Sequence, residues 1–265
     1  MPNFIIQPKL KTKPLNQNKM KTKHMTPENH VDVLSKAMEE KNMIQIRCSA
    51  LGKIMTSPRT KSETLSETAK SYIQDLFREK EYGIYKDISS RYTDKGIQME
   101  DEAIQFAGNV LGWEFGVFKN EQHLTNDWIS GTPDINTDNL LADIKCSWSG
   151  STFPFFDTET PNKDYFWQLQ GYMMLTGHER AELVYCLMNT PQLIVEDEIR
   201  RMHWKLNLID ESLDVRDAVQ SQHNFDHLSD EIRVKRFIID RDLEAENKIK
   251  EKVEQANDYY LSLKK

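Results

Sequence analysis

Two aspartates and a lysine lie close together in the sequence GTPDINTDNLLADIK, residues 131–145. Asp143 and Lys145 are two residues apart, so on a β-strand their side chains lie on the same face. Buried charges are costly unless they pair, bind a metal or take part in chemistry. The spacing therefore predicts either a structural ion pair or the edge of a metal site.

Asp134 can join this pair if the residues Asn-Thr-Asp-Asn at 136–139 form a hairpin turn. The two carboxylates and the backbone carbonyl of Ile144 would then offer oxygen ligands to Mg²⁺. A neighbouring lysine can orient a water molecule and help to deprotonate it, while the metal stabilises charge on a phosphate. This chemistry would hydrolyse a phosphodiester. On its own the D…D-x-K spacing is weak evidence, and a surface ion pair would be the first interpretation.

The composition is that of an ordinary globular chain, with 38% hydrophobic and 29% charged residues among 265. No apolar run approaches the roughly 18 residues of a membrane span, and the N-terminus lacks the apolar core of a signal peptide. Three cysteines, Cys48, Cys146 and Cys186, lie far apart. They indicate a reducing compartment without disulfides, and they are too few for an iron–sulfur cluster, which takes four thiolates. We therefore expect a cytoplasmic protein.

The net charge of −7 is unevenly distributed, because residues 1–24 hold six lysines and no acid. The remainder carries 29 basic and 42 acidic residues. Such a chain can bind DNA only through a localised basic channel. We predict that residues 1–25 form a basic, disordered arm and that residues 26–265 form a single domain.

Helix-capping residues and the period of apolar residues predict the order of the elements. Helices are predicted from Thr26 and over 66–83, 95–112, 163–177, 190–206 and 242–263, and strands over 113–120, 123–135, 139–148, 180–189 and 231–242. There is no internal repeat and no long linker. The pattern predicts an α/β fold with a mixed central β-sheet flanked by helices, an N-terminal helical element and a C-terminal helix.

Two further segments support a metal site. The sequence GIQMEDEA places Gly96, Glu100 and Ala103 in a G-x-x-x-E-x-x-A pattern on a predicted helix. The sequence QLQGY places Gln168 and Tyr172 four residues apart, on one face of another helix. Together with P-D…D-x-K, and in this order, these segments resemble the PD-(D/E)xK nuclease superfamily and, more narrowly, its RecB-type branch.

A fourth segment, IRCSALGKIMTSPR at residues 46–59, resembles the N-terminal element of phage exonucleases of the lambda exonuclease and YqaJ type. In those proteins a serine followed by a basic stretch helps to hold the 5′-phosphate of a DNA end. The resemblance implies this role for Ser49, Lys53 and Arg59. Each of the four segments is loose alone, but their joint order is specific.

The resemblance implies a restriction-endonuclease-like core and a Mg²⁺-dependent exodeoxyribonuclease in which Mn²⁺ can substitute. It implies digestion of the 5′-terminated strand of double-stranded DNA ends, which leaves a 3′ overhang for recombination. The implied roles are metal binding by Asp134, Asp143 and the Ile144 carbonyl with help from Glu100, water positioning by Lys145, site geometry by Gln168 and support by Tyr172.

The same resemblance implies partners and an origin. Such exonucleases often act with a single-strand annealing protein, and the lambda-type enzyme forms a ring-shaped trimer around DNA. A phage or prophage gene expressed in a bacterial host, with no membrane association, is expected.

Alternatives exist for several of these residues. Asp101 and Glu102 adjoin Glu100, Asp138 lies in the predicted turn where aspartate is common, and Gln170 equals Gln168 by composition. Trp148 and the aromatic residues of 152–156 could stack on an unpaired base or pack over the sheet. His203, flanked by Arg200, Arg201 and Lys205, could contact phosphates or belong to a solvated helix face.

Two other functions remain open. The same core serves endonucleases, and a non-catalytic DNA-end-binding module could keep the fold. The intact set of Asp134, Asp143 and Lys145 argues against the second, because a decayed site usually loses at least one of its residues.

Overall fold

The computed structural model describes residues 43–86, 90–114 and 117–264. The predicted basic arm and the helix predicted from Thr26 lie outside the described residues. None of the described helices is long and apolar enough to cross a membrane.

Fourteen helices and strands follow one another in the described residues. In chain order they are β1 (Ile46–Arg47), α1 (Leu51–Ile54), α2 (Glu67–Tyr82), α3 (Arg91–Leu111), β2 (Leu124–Thr125), β3 (Ile129–Gly131), β4 (Ile135–Asn136), β5 (Leu141–Cys146), α4 (Lys163–Thr176), β6 (Arg180–Cys186), α5 (Gln192–Lys205), α6 (Leu213–His223), β7 (Val234–Asp240) and α7 (Leu243–Ser262). Short 3₁₀ turns occur at Cys48–Ala50, Gly150–Thr152 and Asp230–Arg233.

The helix ends follow local capping chemistry. The Ser66 side chain accepts a hydrogen bond from the Ala69 N–H at the start of α2, and Gly83 ends that helix with φ of 65°. Ser90 caps α3 in the same way, so this helix begins four residues before the predicted start at Lys95. The ends of α2 therefore follow from local residues, whereas the cap of α3 was missed in the sequence.

The central sheet has the strand order β4-β5-β6-β7. Strands β5 and β6 are parallel, whereas β4 and β7 are antiparallel to their neighbours. The predicted mixed α/β architecture is thereby confirmed. The predicted hairpin at 136–139 is present, with Ile135 opposite Ala142 and the Thr137 N–H donating to the Leu140 carbonyl.

The two faces of β5 have different neighbours. Ala142 and Ile144 pack with α3 in one apolar cluster, whereas Leu141 belongs to the larger cluster on the side of α4 and α7. Alternation therefore places Asp143 and Lys145 on the α4 side of the sheet.

Part of the predicted strand structure is wrong. The described residues of 113–120 form no strand, because Trp113 and Val117 pack individually against the α3 cluster. The predicted strand over 123–135 is divided into β2, β3 and β4. The Asn126 side chain accepts hydrogen bonds from the N–H groups of Trp128 and Ile129, which reverses the chain between β2 and β3.

Helix α6 was not predicted. Ser212 caps it by accepting a hydrogen bond from the Val215 N–H. Its apolar stripe is narrow, with Val219 buried and Val215 partly buried against α5. The period of so few apolar residues gives little signal.

Close packing of α4 depends on Gly171. A Cβ atom at this position would lie 2.6 Å from Leu51 Cδ1 and 2.9 Å from Cys48 Sγ. Both neighbours are fully buried, so neither can move freely. Gly171 thereby lets α4 approach the segment that follows β1.

We expect Gly171→Ala to lower the free energy of unfolding by about 1–2 kcal/mol, because overpacking outweighs the gain in helix propensity. Urea denaturation measures this change. Gly108→Ala is a matched control within α3, where a Cβ would lie 3.4 Å from Trp113 Cε3, an ordinary contact. A Gly171→Ala protein as stable as the control would contradict the packing argument.

Candidate active site

Strand β5 carries an ion pair between a buried aspartate and a partly exposed lysine. Asp143 is 1% exposed, and its Oδ2 lies 2.6 Å from Lys145 Nζ. The ring of Tyr165 on α4 lies 4.9 Å from the same Nζ. The two charges therefore face α4, as their spacing on a strand requires.

Asp134 reaches this strand through the turn between β4 and β5. Its Oδ2 accepts a hydrogen bond of 2.7 Å from the Ile144 N–H. The hairpin thus brings together the two aspartates that are nine residues apart in sequence. The structure assembles Asp134, Asp143, Ile144 and Lys145 at one place.

Helix α4 adds an amide to the site. Gln168 Nε2 donates to Asp143 Oδ1 at 2.9 Å and to Tyr172 Oη at 3.0 Å. Tyr172 Oη in turn donates to the Thr132 carbonyl at 3.2 Å. The four-residue spacing of Gln168 and Tyr172 makes this chain possible.

The alternative, Gln170, lies elsewhere. Its Nε2 donates to the Asp240 carbonyl, and its Oε1 accepts from the Asp242 N–H. It therefore fastens α4 to the connection between β7 and α7 and does not contact the site.

Glu100 lies on α3 across from β5. Its Oε2 lies 2.8 Å from Lys119 Nζ, and its neighbours Asp101 and Glu102 are exposed. In residues 43–86, 90–114 and 117–264, no three His, Cys, Asp or Glu side chains form a metal cluster. The structure thus brings Glu100 to the edge of the site, paired with a lysine.

An open cleft of about 600 Å³ leads to these residues. One wall is the α3 face that includes Tyr92, Gly96 and Glu100, and the other includes Lys145 and Tyr165. A substrate entering this cleft would meet Lys145, whose Nζ pairs with the buried Asp143 carboxylate.

The charges of the site perturb one another. Burial and the nearby Asp143 carboxylate raise the pKa of Asp134 to about 8. Burial also raises the pKa of Asp143, although Lys145 opposes the shift. For Lys145 burial favours the neutral amine, but the carboxylates of Asp143 and Asp134 outweigh it and raise the pKa. Lys145 is therefore an ammonium ion at neutral pH.

The donor set fits a divalent cation. Asp143 Oδ2 is buried and has no aligned hydrogen bond in the described part of the chain, only the ion pair with Lys145. When both buried carboxylates are ionised they share one ammonium, so negative charge is then in excess. Hard oxygen donors with excess negative charge suit Mg²⁺, and Asp134, Asp143 and the Ile144 carbonyl would hold it.

The residues predicted to hold a 5′-phosphate do not line this cleft. Ser49, Lys53 and Arg59 are exposed. Lys53 Nζ lies 5.2 Å from the centre of the Tyr72 ring, and Arg59 borders a separate cavity of about 150 Å³. Their role stays a prediction.

Two other expectations take a different form in the structure. The Trp148 ring packs against Tyr92 and His223, with centroid distances of 4.9 Å each. Tyr92, 53% exposed, is thus the more accessible ring of this stack.

His203 does not face phosphates, because it bonds the Ile199 carbonyl and accepts from the Ser212 N–H. It joins the end of α5 to the start of α6.

Sequence reasoning missed three residues around the cleft. Tyr165 precedes Gln168 by one helical turn, and this spacing was an available signal. Lys119 has no sequence signal for its pairing with Glu100. Lys95 is fully buried behind the cleft, with Nζ donating to the Trp148 carbonyl at 3.0 Å.

Among known proteins, the chain is similar to solved structures of exonucleases. No family model matches the chain, and no curated protein matches it. The crystal structure of a phage-related exonuclease from Haemophilus somnus 129PT is 30% identical over 85% of this chain and 97% of that chain, with a TM-score of 0.69.

Two further crystal structures share the fold. The alkaline exonuclease LHK-Exo from Laribacter hongkongensis is 16% identical over 86% of this chain and 93% of its own, with a TM-score of 0.56. LHK-Exo in complex with dAMP is 18% identical over 82% and 88% of the two chains, with a TM-score of 0.55.

The raised pKa of Asp134 predicts a pH-dependent stability without metal. Between pH 5 and pH 8 the unfolded state has lost this proton and the folded state retains it, so the free energy of unfolding falls as pH rises. Asp134→Asn keeps an acceptor for the Ile144 N–H and removes the titration. In EDTA, raising the pH from 5 to 8 should lower the melting temperature of the wild type by roughly 4 °C or more relative to that of Asp134→Asn.

Addition of Mg²⁺ at pH 8 should raise the melting temperature of the wild type more than that of Asp134→Asn. Thermal melts in EDTA and in Mg²⁺ measure both effects. Parallel pH curves for the two proteins would show that Asp134 has an ordinary pKa.

Proposed function

Because the chain belongs to the family of phage-related exonucleases, we propose that it is a Mg²⁺-dependent exodeoxyribonuclease that acts on the ends of double-stranded DNA. The observation that carries the proposal is the ion pair between buried Asp143 and Lys145, which lines an open cleft. The order P-D…D-x-K followed by Gln168 and Tyr172 supports membership of the PD-(D/E)xK superfamily and its RecB-type branch.

Asp134, Asp143 and the Ile144 carbonyl are the proposed ligands of Mg²⁺, with Mn²⁺ as a substitute. Glu100 would assist directly or through water after it leaves Lys119. Bound there, Mg²⁺ supplies positive charge that stabilises the negative charge developing on the phosphate.

Lys145 has the proposed role of positioning the attacking water. As an ammonium ion it donates hydrogen bonds, so it orients water and the phosphate oxygens. Gln168 fixes the rotamer of Asp143 by donating to Oδ1. Tyr172 fixes Gln168 in turn and ties it to the backbone at Thr132.

The direction of digestion is part of the proposal. Residues 46–59 resemble the 5′-phosphate element of phage exonucleases, which supports digestion of the 5′-terminated strand and a 3′ overhang for recombination. Ser49, Lys53 and Arg59 would then contact the 5′-phosphate. A single-strand annealing protein, a ring-shaped trimer and a phage or prophage origin in the bacterial cytoplasm belong to the same proposal.

A DNA endonuclease of the same fold is the second candidate. An open cleft with a buried acid–lysine pair places no requirement on a strand end. A non-catalytic end-binding module is less consistent with the complete set of contacts, in which Asp134 bonds Ile144 and Asp143 contacts both Lys145 and Gln168.

Linear and circular DNA distinguish these candidates. Purified protein with Mg²⁺ should remove nucleotides stepwise from the 5′ ends of a linear duplex labelled at either end of one strand. The same DNA as a closed circle should remain intact, because an exonuclease requires an end. Cutting of the circle would indicate an endonuclease, and survival of both substrates in Mg²⁺ and Mn²⁺ would contradict the enzyme proposal.

Lys145→Ala should lower the rate of cleavage by roughly 10²-fold or more, because water and phosphate lose their orienting donor. DNA binding, measured by fluorescence anisotropy, should change little. Lys248→Ala, at an exposed position of α7, is the control and should retain both properties. An equal loss of cleavage and binding in Lys145→Ala would mean that the lysine has a structural role.

A further inference from the structure

A glycine lies in the interior of helix α3 at the wall of the cleft. Gly96 is the sixth residue of this 21-residue helix. Glycine destabilises a helix interior relative to alanine, because the unfolded chain gains conformational freedom. Its presence therefore needs a reason.

Backbone conformation does not supply that reason. Among the residues that the structure describes, the glycines with positive φ are Gly83, Gly112 and Gly177, each at the C-terminal end of a helix. Gly96 lies within regular α-helix, which every L-residue except proline adopts without strain.

Packing within the chain does not supply it either. At Gly52, Gly131 and Gly171 a Cβ atom would lie less than 3 Å from a neighbouring side chain. At Gly96 a Cβ would meet no heavy atom of the described residues within 4 Å, apart from its own stretch of helix. The missing side chain leaves open space in the cleft.

That space is aligned with the candidate active site. Tyr92, Gly96 and Glu100 are spaced by four residues, so they form one strip along α3, and all three line the cleft with Lys145. Gly96 is thus a notch between two larger side chains. Tyr92 is 53% exposed, and Ile97 beside the notch is 67% exposed.

We propose that the notch at Gly96 is a subsite for the sugar–phosphate backbone of the DNA strand that is cleaved. This inference rests on the proposed nuclease function and extends it to the path of the strand. A glycine lets a ligand backbone approach a helix closely. A strand whose phosphate lies at Lys145 continues along the same open cleft and passes α3 at this position.

The residues around the notch suit the other parts of a nucleotide. The exposed ring of Tyr92 offers a stacking face for a base, and such stacking is tolerant of sequence. Ile97 offers apolar contact to a deoxyribose. These contacts carry no requirement for a particular base, as digestion along a duplex demands.

Gly96→Ala tests the subsite, with Gly108→Ala as the matched control in the same helix. Gly108 does not line the cleft, and its Cβ would make an ordinary contact with Trp113. Both variants should melt about 2–4 °C higher than the wild type, because alanine favours the helix. Only Gly96→Ala should weaken binding, with the Kd for a short duplex in EDTA raised roughly tenfold.

The effect should grow with side-chain size, so Gly96→Leu should raise the Kd and the KM for labelled duplex further than Gly96→Ala. Equal binding and cleavage by Gly96→Ala and Gly108→Ala would overturn the subsite alone. A lower melting temperature for Gly96→Ala would also overturn it, since the glycine would then serve the fold. Absence of both DNA binding and cleavage in the wild type would overturn the proposed function and the subsite together.

Discussion

The buried carboxylate of Asp143 is the constraint on which the rest of the structure depends. A carboxylate that is 1% exposed requires partners for its charge and its lone pairs. Lys145 from the same strand supplies the charge, and Gln168 from α4 supplies a hydrogen bond. The sheet, α4 and the hairpin before β5 therefore have to meet at one place.

Two glycines make this meeting possible. A Cβ at Gly171 would collide with Cys48 and Leu51, and one at Gly131 would lie 2.8 Å from the Tyr172 ring. Because glycine has no Cβ atom at these two positions, α4 can lie close to β3 and to the segment after β1. Tyr172 then reaches the Thr132 carbonyl, two residues before Asp134. Core packing therefore also determines the geometry of the site. The contacts that position α4, and with it Gln168, lie away from the Asp143 carboxylate.

When Asp134 and Asp143 are both ionised, the site has more negative charge than its own lysine neutralises. Asp134 and Asp143 both have raised pKa values, while Lys145 is held as an ammonium ion. A buried acid pair of this kind is stabilised by protonation or by a cation. Helix α3 supplies the opposite wall of the cleft and carries Glu100, whose charge is balanced by Lys119. The fold thus places the buried Asp143 carboxylate and its lysine on β5, opposite a wall of the cleft formed by α3.

The sequence by itself determined the features that depend on local spacing. The shared face of Asp143 and Lys145 and the pairing of Gln168 with Tyr172 follow from periods of two and about four residues. The ends of α2 follow from the capping residues Ser66 and Gly83, and the mixed sheet was predicted from the order of helices and strands. Tertiary structure alone decided which partners meet across the chain. The contact of Lys119 with Glu100 joins α3 to a segment without strand structure, and His203 bonds to the start of a helix with little apolar period. The strand predicted over 113–120 failed for the same reason. Among its described residues, Trp113 and Val117 fill space against α3 without a ladder of hydrogen bonds, and only the packed core determines which of these two arrangements forms.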